Sequence, residues 1–338
     1  MTADAPVVAI CIANYNGEKL LPDCIESVLA QVCDARIEII VHDDASNDGS
    51  LAQLAARYPQ ARVIASPDNV GFCVANNRMA EIAHGDYLLL LNNDAALLPG
   101  ALQALLDAVR EGGEDAILTL AQHDWETGAL VDRGCLLDPF YNPVPNIDPR
   151  RVDIAYVIGA CLWIPRPLWR ELGGFPEWFG SLAEDMYLCC AARLRGVPVR
   201  CVDGRYRHRQ GASFGGNRVG SGGLQTTYRR RFLSERNKTA TMVVCTPTLL
   251  VWLLLVVHAA LLMAEGLAMT VLRMDAGIWS KIYGPALSYA LRAPFVLRQE
   301  RRDLQGVRRV GLRTYLNVFV RMPHKLRMLY RYGVPKVR

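Results

Sequence analysis

The apolar positions of this chain alternate between short solid blocks and helical stripes. Val7–Ala13, Ile37–Val41, Arg62–Ala65 and Tyr87–Leu91 are the blocks, none longer than seven residues. Apolar runs that short read as strands, and strands buried on both faces show no alternation. Between them, Leu20, Leu21, Ile25, Val28 and Leu29 recur at helical spacing. A short helix follows through Leu51 and Leu54, another runs from Phe72 to Ala83, and a Pro-started one runs from Pro99 to about Val109. Strand and helix thus alternate four times in the first ~110 residues, the pattern of a parallel sheet covered by helices.

Every strand block ends in short polar side chains. The first meets Asn14-Tyr15-Asn16-Gly17, and the second meets Asp43-Asp44 within HDDASNDGS (42–50). The third leads by a short loop to Asn69-Val70-Gly71, and the fourth ends in Asn92-Asn93-Asp94. One such ending is an ordinary turn. In an open parallel sheet, however, successive strand ends gather on one edge, where ligands bind. A carboxylate there can hold a divalent cation, and the cation a diphosphate. No GxGxxG follows the first strand and no GxxxxGK[ST] occurs, which argues against dinucleotide dehydrogenases and P-loop NTPases.

The second half is less regular. Residues 135–150 hold four prolines and read as a long rim loop or a passive surface loop. The segment 155–164 (AYVIGACLWI) returns to a strand pattern, and its small Gly159 and Ala160 suit close approach to a ligand or another strand. Glu184-Asp185 opens a helix, where acidic residues are also ordinary dipole chemistry. Gly211-Ala212-Ser213-Phe214-Gly215 matches the GxSxG of serine hydrolases, but a Gly-rich run follows where that motif needs a helix. Residues 211–223 read instead as a mobile loop, and Tyr228–Asn237 begins a basic helix.

Leu249–Ala264 carries one polar residue, His258; extension to Leu272 adds Glu265, Gly266 and Thr270. The length suffices to span a bilayer, but Glu265 is costly there and both flanks are basic, so no orientation is chosen. A re-entrant or in-plane helix at an anionic membrane surface is the expectation, with a buried helix in a homodimer interface as the soluble alternative. Ile278–Leu297 reads as an interfacial amphipathic segment interrupted by Pro285 and Pro294.

Charge sharpens this division. The net charge is +5, yet residues 273–338 hold 15 Lys+Arg against 3 Asp+Glu, leaving 23 against 30 in the remainder. An acidic body argues against nucleic acid as a partner, while the basic tail suits anionic lipid. The 338 residues divide on this reading into a catalytic domain, 1–240, and a carboxy-terminal extension, 241–338, with the apolar helix at about 248–272. Met1–Pro6 has no signal-peptide pattern. Ten cysteines form no CxxC, which suits reduced, buried thiols in the cytoplasm.

The motifs ANYNG (13–17), HDDASNDGS (42–50), NVGFCVANN (69–77), LLNNDA (90–95), GACLWIPRPLWRELGGF (159–175), AEDMYLCCAARLRG (183–196) and HRQGAS (208–213), in this order, resemble the inverting glycosyltransferases of family 2. The subgroup they resemble is the rhamnosyltransferase-like enzymes. The resemblance implies an α/β, GT-A nucleotide-sugar-binding fold and transfer of a sugar, rhamnose favoured, from a dTDP- or UDP-linked donor. The implied acceptor is lipid-linked or a polysaccharide, at the cytoplasmic face of the inner membrane. It implies that Asn14, Tyr15, Asn16, Asp43, Asp44, Asn69, Gly71, Asn92, Asn93, Gly159, Ala160 and Arg236 bind substrate. Asp94 matches the last place of the family's Asp-x-Asp motif for Mg²⁺ or Mn²⁺, with Asn92 in the first place, and His208 completes the metal site. Asp185 matches the general base, with Glu184 as its rival, and Tyr187 stands where a further acid is common. These departures keep open a catalytically weak sugar-nucleotide-binding partner protein. The hydrolase reading on Ser213 stays as a minor alternative.

Overall fold

The computed structural model describes residues 5–112, 115–210, 218–220, 223–325, 330 and 336–337. Two compact units are present. One comprises residues 1–135, 145–181 and 197–213; the other comprises 136–144, 182–196 and 214–338.

The first unit is built on a sheet of nine strands. β1 (Val7–Asn14), β2 (Arg36–Asp44), β3 (Arg62–Ser66) and β4 (Tyr87–Leu91) are parallel, in the order β3-β2-β1-β4. These are the four apolar blocks: β1 and β3 each gain one polar residue at the end, β2 gains Arg36 and His42–Asp44, and β4 is unchanged. α1 (Leu21–Leu29), α2 (Ser50–Arg57) and α3 (Phe72–Ile82) alternate with them as the stripes predict. β5 (Ala95–Leu97), α4 (Ala101–Gly112), β6 (Ile117–Asp124) and β7 (Leu130–Asp132) follow, and α4 starts two residues after Pro99. β8 (Cys135–Leu137) and β9 (Pro143–Pro145) form a separate ribbon, so 135–150 is less featureless than its prolines suggest. β10 (Cys161–Pro165) then enters the large sheet antiparallel to β4, pairing Cys161 with Leu91. The strand expected over 155–164 is thus only its second half. α5 (Arg166–Leu172) and β11 (Val199–His208) complete the unit, β11 lying between β6 and β5. The core packs Val8, Ile10, Ile12, Ile25, Leu89 and Trp163 with their neighbours.

The second unit is helical. α6 (Glu184–Leu194) and α7 (Tyr228–Cys245) pack together, and α8 (Leu250–Arg273), α9 (Ala276–Ile278), α10 (Gly284–Val296) and α11 (Arg298–Gly306) follow. The turn Trp279–Tyr283 is wound wider than an α-helix. Pro285 and Pro294 do not break the segment as expected. Pro285 sits in the first turn of α10, where its missing N–H costs nothing, and Pro294 lies in the last turn. Helix α7 is buried nearly all round from Asn237 to Cys245. Ser213 and most of the expected loop, 211–217 and 221–222, lie outside the described residues. All ten cysteines are free thiols, nine of them buried.

Candidate active site

Register puts the polar strand ends side by side. Asn14 at the end of β1 faces Asp43 on β2, and Asp44 faces Ser66 at the end of β3. Asn14, Asp43, Asp44, Asn93 and Asp94 are all buried, so each must find partners. Asn14, Asp43 and Asn93 find them in one another. Asn93 Nδ2 donates to Asn14 Oδ1 at 2.8 Å, and Asn14 Nδ2 donates to Asp43 Oδ2 at 2.9 Å. The other oxygen of Asp43 accepts from the Ser46 backbone N–H at 3.0 Å. Asp44 accepts from the backbone N–H groups of Val70 and Gly71 at 2.7 and 2.9 Å, and Asn69 Nδ2 donates to the Asp44 carbonyl. The two aspartates therefore hold the loops after β1, β2 and β3 in place.

The same loops are laced at the rim. Asn16, in the left-handed region at φ 50°, accepts from the Asn47 N–H, while its own N–H donates to Ser46 Oγ. Tyr15 between them is exposed, an open ring at the mouth of the cluster. Gly17 has no room for a side chain: a Cβ there would run into Asn14 Oδ1 and Asn93 Nδ2. Gly71, at φ 87°, adopts backbone that a larger residue would strain. Asn92 is half-buried, and its N–H donates to the Ala160 carbonyl at 3.1 Å. Ala160 and Gly159 are buried just ahead of β10.

Asp94 and His208 meet at the far side of this edge. His208, the last residue of β11, places Nε2 3.1 Å from Asp94 Oδ1. The register of β11 with β5, His208 opposite Ala95, delivers it there. Its Nδ1 lies 3.3 Å from Gln122 Oε1, which also accepts from the Tyr206 hydroxyl at 2.8 Å. Both ring nitrogens thus face an oxygen, and with the proton on Nδ1 the Nε2 atom is free to ligate. Nε2 of His208 and the Asp94 carboxylate, side by side, are two ligating groups that a cation would bridge. A carboxylate and an imidazole are suitable ligands for Mn²⁺ or Mg²⁺. Among the described residues, no group of three or more His, Cys, Asp or Glu side chains gathers as a metal site. The pair would thus hold a cation whose other ligands come from substrate and water. Sequence reasoning missed Gln122 and Tyr206; the one signal was a polar glutamine inside the apolar run ILTLAQHD.

The second cluster belongs to the helical unit. Glu184 and Asp185 open α6, and both are buried. Leu182 and Ala183 before them have φ of 72° and 65°, a left-handed pair without glycine. Such backbone costs about 1–3 kcal/mol per residue and persists only where neighbours enforce it. Asn237 on α7 enforces it, donating Nδ2 to the Leu182 carbonyl at 2.7 Å. Arg236 Nε in turn donates to Asn237 Oδ1 at 2.8 Å. Asp185 Oδ1 accepts from the Met186 N–H at 2.6 Å. Burial, and then the charge of Asp185, push the Glu184 carboxyl well above its ordinary range. Arg236-Asn237 was legible as a pair, but only its arginine was singled out.

Residues 9–172 match the family described as Glycosyl transferase family 2. Together with the likenesses that follow, this match supports a family 2 glycosyltransferase. It is similar to the uncharacterized protein y4gI of Sinorhizobium fredii, at 31% identity over 59% of this chain and 22% of that protein. It is also similar to the N-acetylglucosaminyl-diphospho-decaprenol L-rhamnosyltransferase of Mycobacterium tuberculosis, at 25% identity over 56% of this chain and 70% of the relative. The chain therefore spans about a fifth of the first relative's length and about two thirds of the second's. Among solved structures it resembles S. aureus TarS 1–349, with TM-score 0.52, 15% identity and coverage of 88% and 90% of the two chains. It also resembles the mannosyltransferase PcManGT of Pyrobaculum calidifontis in complex with GDP-Man and Mn²⁺, with TM-score 0.51, 15% identity and coverage of 87% and 88%. At that identity the likeness shows the fold alone, GT-A.

Proposed function

We propose that this family 2 glycosyltransferase moves a sugar, with inversion, from a nucleoside diphosphate to an acceptor hydroxyl. Rhamnose from dTDP is the favoured donor, on the rhamnosyltransferase relative, and UDP-hexoses are the alternative. The acceptor is a lipid-linked or polysaccharide glycan in bacterial surface synthesis, met at the cytoplasmic face of the inner membrane. The observation that carries the reading is the laced strand edge, in which Asn14, Asp43, Asp44 and Asn93 hold three loops around one mouth beside the Asp94–His208 pair.

The roles follow from that chemistry. The loops at 14–17 and 43–49 seat the nucleoside, with Tyr15 as the open ring. Asp94 and His208 hold a divalent cation, which when bound neutralises charge on the departing diphosphate. Asp185 takes the proton of the acceptor hydroxyl as its oxygen bonds to the anomeric carbon. The bond from that carbon to the diphosphate breaks on the opposite face. Glu184, beside Asp185 at the start of the same helix, is its rival for the role of base.

Calorimetric titration with dTDP and UDP, in Mn²⁺ and in chelator, tests the reading. Binding that falls away with chelator, and with Asp94→Asn, is expected. Asp185→Asn is expected to keep nucleotide binding and lose roughly 10²–10⁴-fold in turnover. Absence of nucleotide binding under both conditions would sink the proposal, and full turnover by Asp185→Asn would remove Asp185 from its role.

A further inference from the structure

Helix α8 buries one stripe only. Val251, Leu255, His258, Leu262, Gly266 and Met269 face the rest of the helical unit, and the remaining apolar side chains do not. Leu253, Val256, Leu267 and Val271 are each more than half exposed. A helix apolar all round but covered along one seam needs a second apolar medium. Its polar residues lie inward. His258 Nε2 meets Thr239 Oγ1 at 2.8 Å, and Glu265 is paired with Arg231 and Lys325.

A cleft of about 560 Å³ opens beside the first turn of this helix. Leu249 and Trp252 supply its apolar lining, and Arg298, Arg301, Arg302 and Arg308 supply its charge. No carboxylate is among its lining residues. Arg301 is already engaged: its guanidinium donates to the carbonyls of Val243, Thr246 and Thr248, which lie at and beyond the end of α7. Arg298, Arg302 and Arg308 are exposed and make no ion pair among the described residues. Uncompensated guanidiniums around a partly apolar cleft suit a phosphate that carries an acyl chain. Trp252, whose ring lies 5.5 Å from the Arg301 guanidinium, is the side chain favoured at a membrane–water boundary.

We propose that the cleft between the start of α8 and helix α11 seats the phosphate headgroup of an anionic phospholipid, while the outer face of α8 lies in the apolar part of the same bilayer. This rests on the membrane-surface reading above and gives it a specific site. Arg298 and Arg302, one helical turn apart on α11, and Arg308 just beyond its end grip the phosphate. Leu249 and Trp252 cover the glycerol and the first methylenes.

Vesicle flotation of the full chain tests this, with phosphatidylcholine alone and with added phosphatidylglycerol. The wild type is expected to bind both, more tightly with phosphatidylglycerol. Arg298→Ala/Arg302→Ala/Arg308→Ala is expected to lose the phosphatidylglycerol-dependent part, roughly a hundredfold, and to keep binding to phosphatidylcholine. A control with the same charge change, Arg309→Ala/Arg313→Ala/Arg321→Ala, is expected to lose only a few-fold. Equal losses in the two triple variants would reduce the site to diffuse attraction and overturn it. Binding to both vesicles without preference would overturn the cleft and spare the membrane reading, whereas binding to neither would overturn both. Saturable uptake of inorganic phosphate by the wild type, lost in the cleft variant, with no vesicle preference, would make the source a free anion and reject the lipid.

Discussion

Gly17 shows how little space the polar strand edge leaves at the scale of a residue. The missing side chain lets Asn14 and Asn93 close on each other, and a methyl group there would push into both. Overpacking of this kind costs about 1–3 kcal/mol. Gly17→Ala is therefore expected to lower unfolding stability by that order and to weaken dTDP or UDP binding about tenfold, read by denaturant melts and calorimetry. Unchanged nucleotide affinity would mean that the Asn14–Asn93 contact does not shape the mouth. Asn237 is the counterpart in the helical unit, since its bond to the Leu182 carbonyl fixes the left-handed turn ahead of Asp185. Removing that amide by Asn237→Ala is expected to cut turnover more than tenfold while nucleotide binding holds. Asn14, Asp43, Asp44 and Asp94 were legible in the sequence because each ends an apolar block. Gln122 and Tyr206 were not, because what places them against His208 is the pairing of β6 with β11, far apart in sequence.

At the scale of an element, α8 explains its own exceptions. Glu265 looked like a flaw in an apolar span, yet it completes a lattice with Arg231, Glu235 and Lys325. A buried ion pair is weak evidence of net stability, but removing one member strands the others. Gly266 has a different reason. A Cβ on it would come within 2.5 Å of the Tyr283 Cβ and 3.1 Å of the Trp279 ring, so the helix crosses the 279–283 turn at backbone distance. Gly266→Val is expected to destabilise the helical unit by about 1–3 kcal/mol, read as an earlier thermal transition with the nucleotide site intact. A transition at the wild-type temperature would show that α8 shifts outward freely. The length and position of α8 were readable from composition. Its inner stripe was not, since a helix apolar on every side carries no periodic signal to tell the packed face from the outer one.

For the whole molecule, the parallel direction of β1 to β4 followed from local periodicity, because each crossover there carries a helix of its own, while their order came only with the structure. The later strands did not follow. β10 runs antiparallel to β4, and β11 reaches its place between β6 and β5 across long sequence separations that no local pattern encodes. That same region buries Asp132 at 3% exposure, where loss of hydration raises its carboxyl to about 7, partly offset by the Gly134 N–H it accepts from. The consequence is global. Between its ordinary value of 3.8 and about 7, the folded chain holds a proton that the unfolded chain has released. Stability from this group is therefore full below about pH 4 and falls as pH rises through about 7, by roughly 2–4 kcal/mol. Asp132→Asn keeps the oxygen that accepts from Gly134 and removes the ionisation. The variant is expected to melt higher than the wild type at pH 8 and to match it only at or below about pH 4, with a flatter profile between. Parallel pH profiles for the two proteins would mean that Asp132 ionises in the fold as readily as in water, with its burial relieved by a partner.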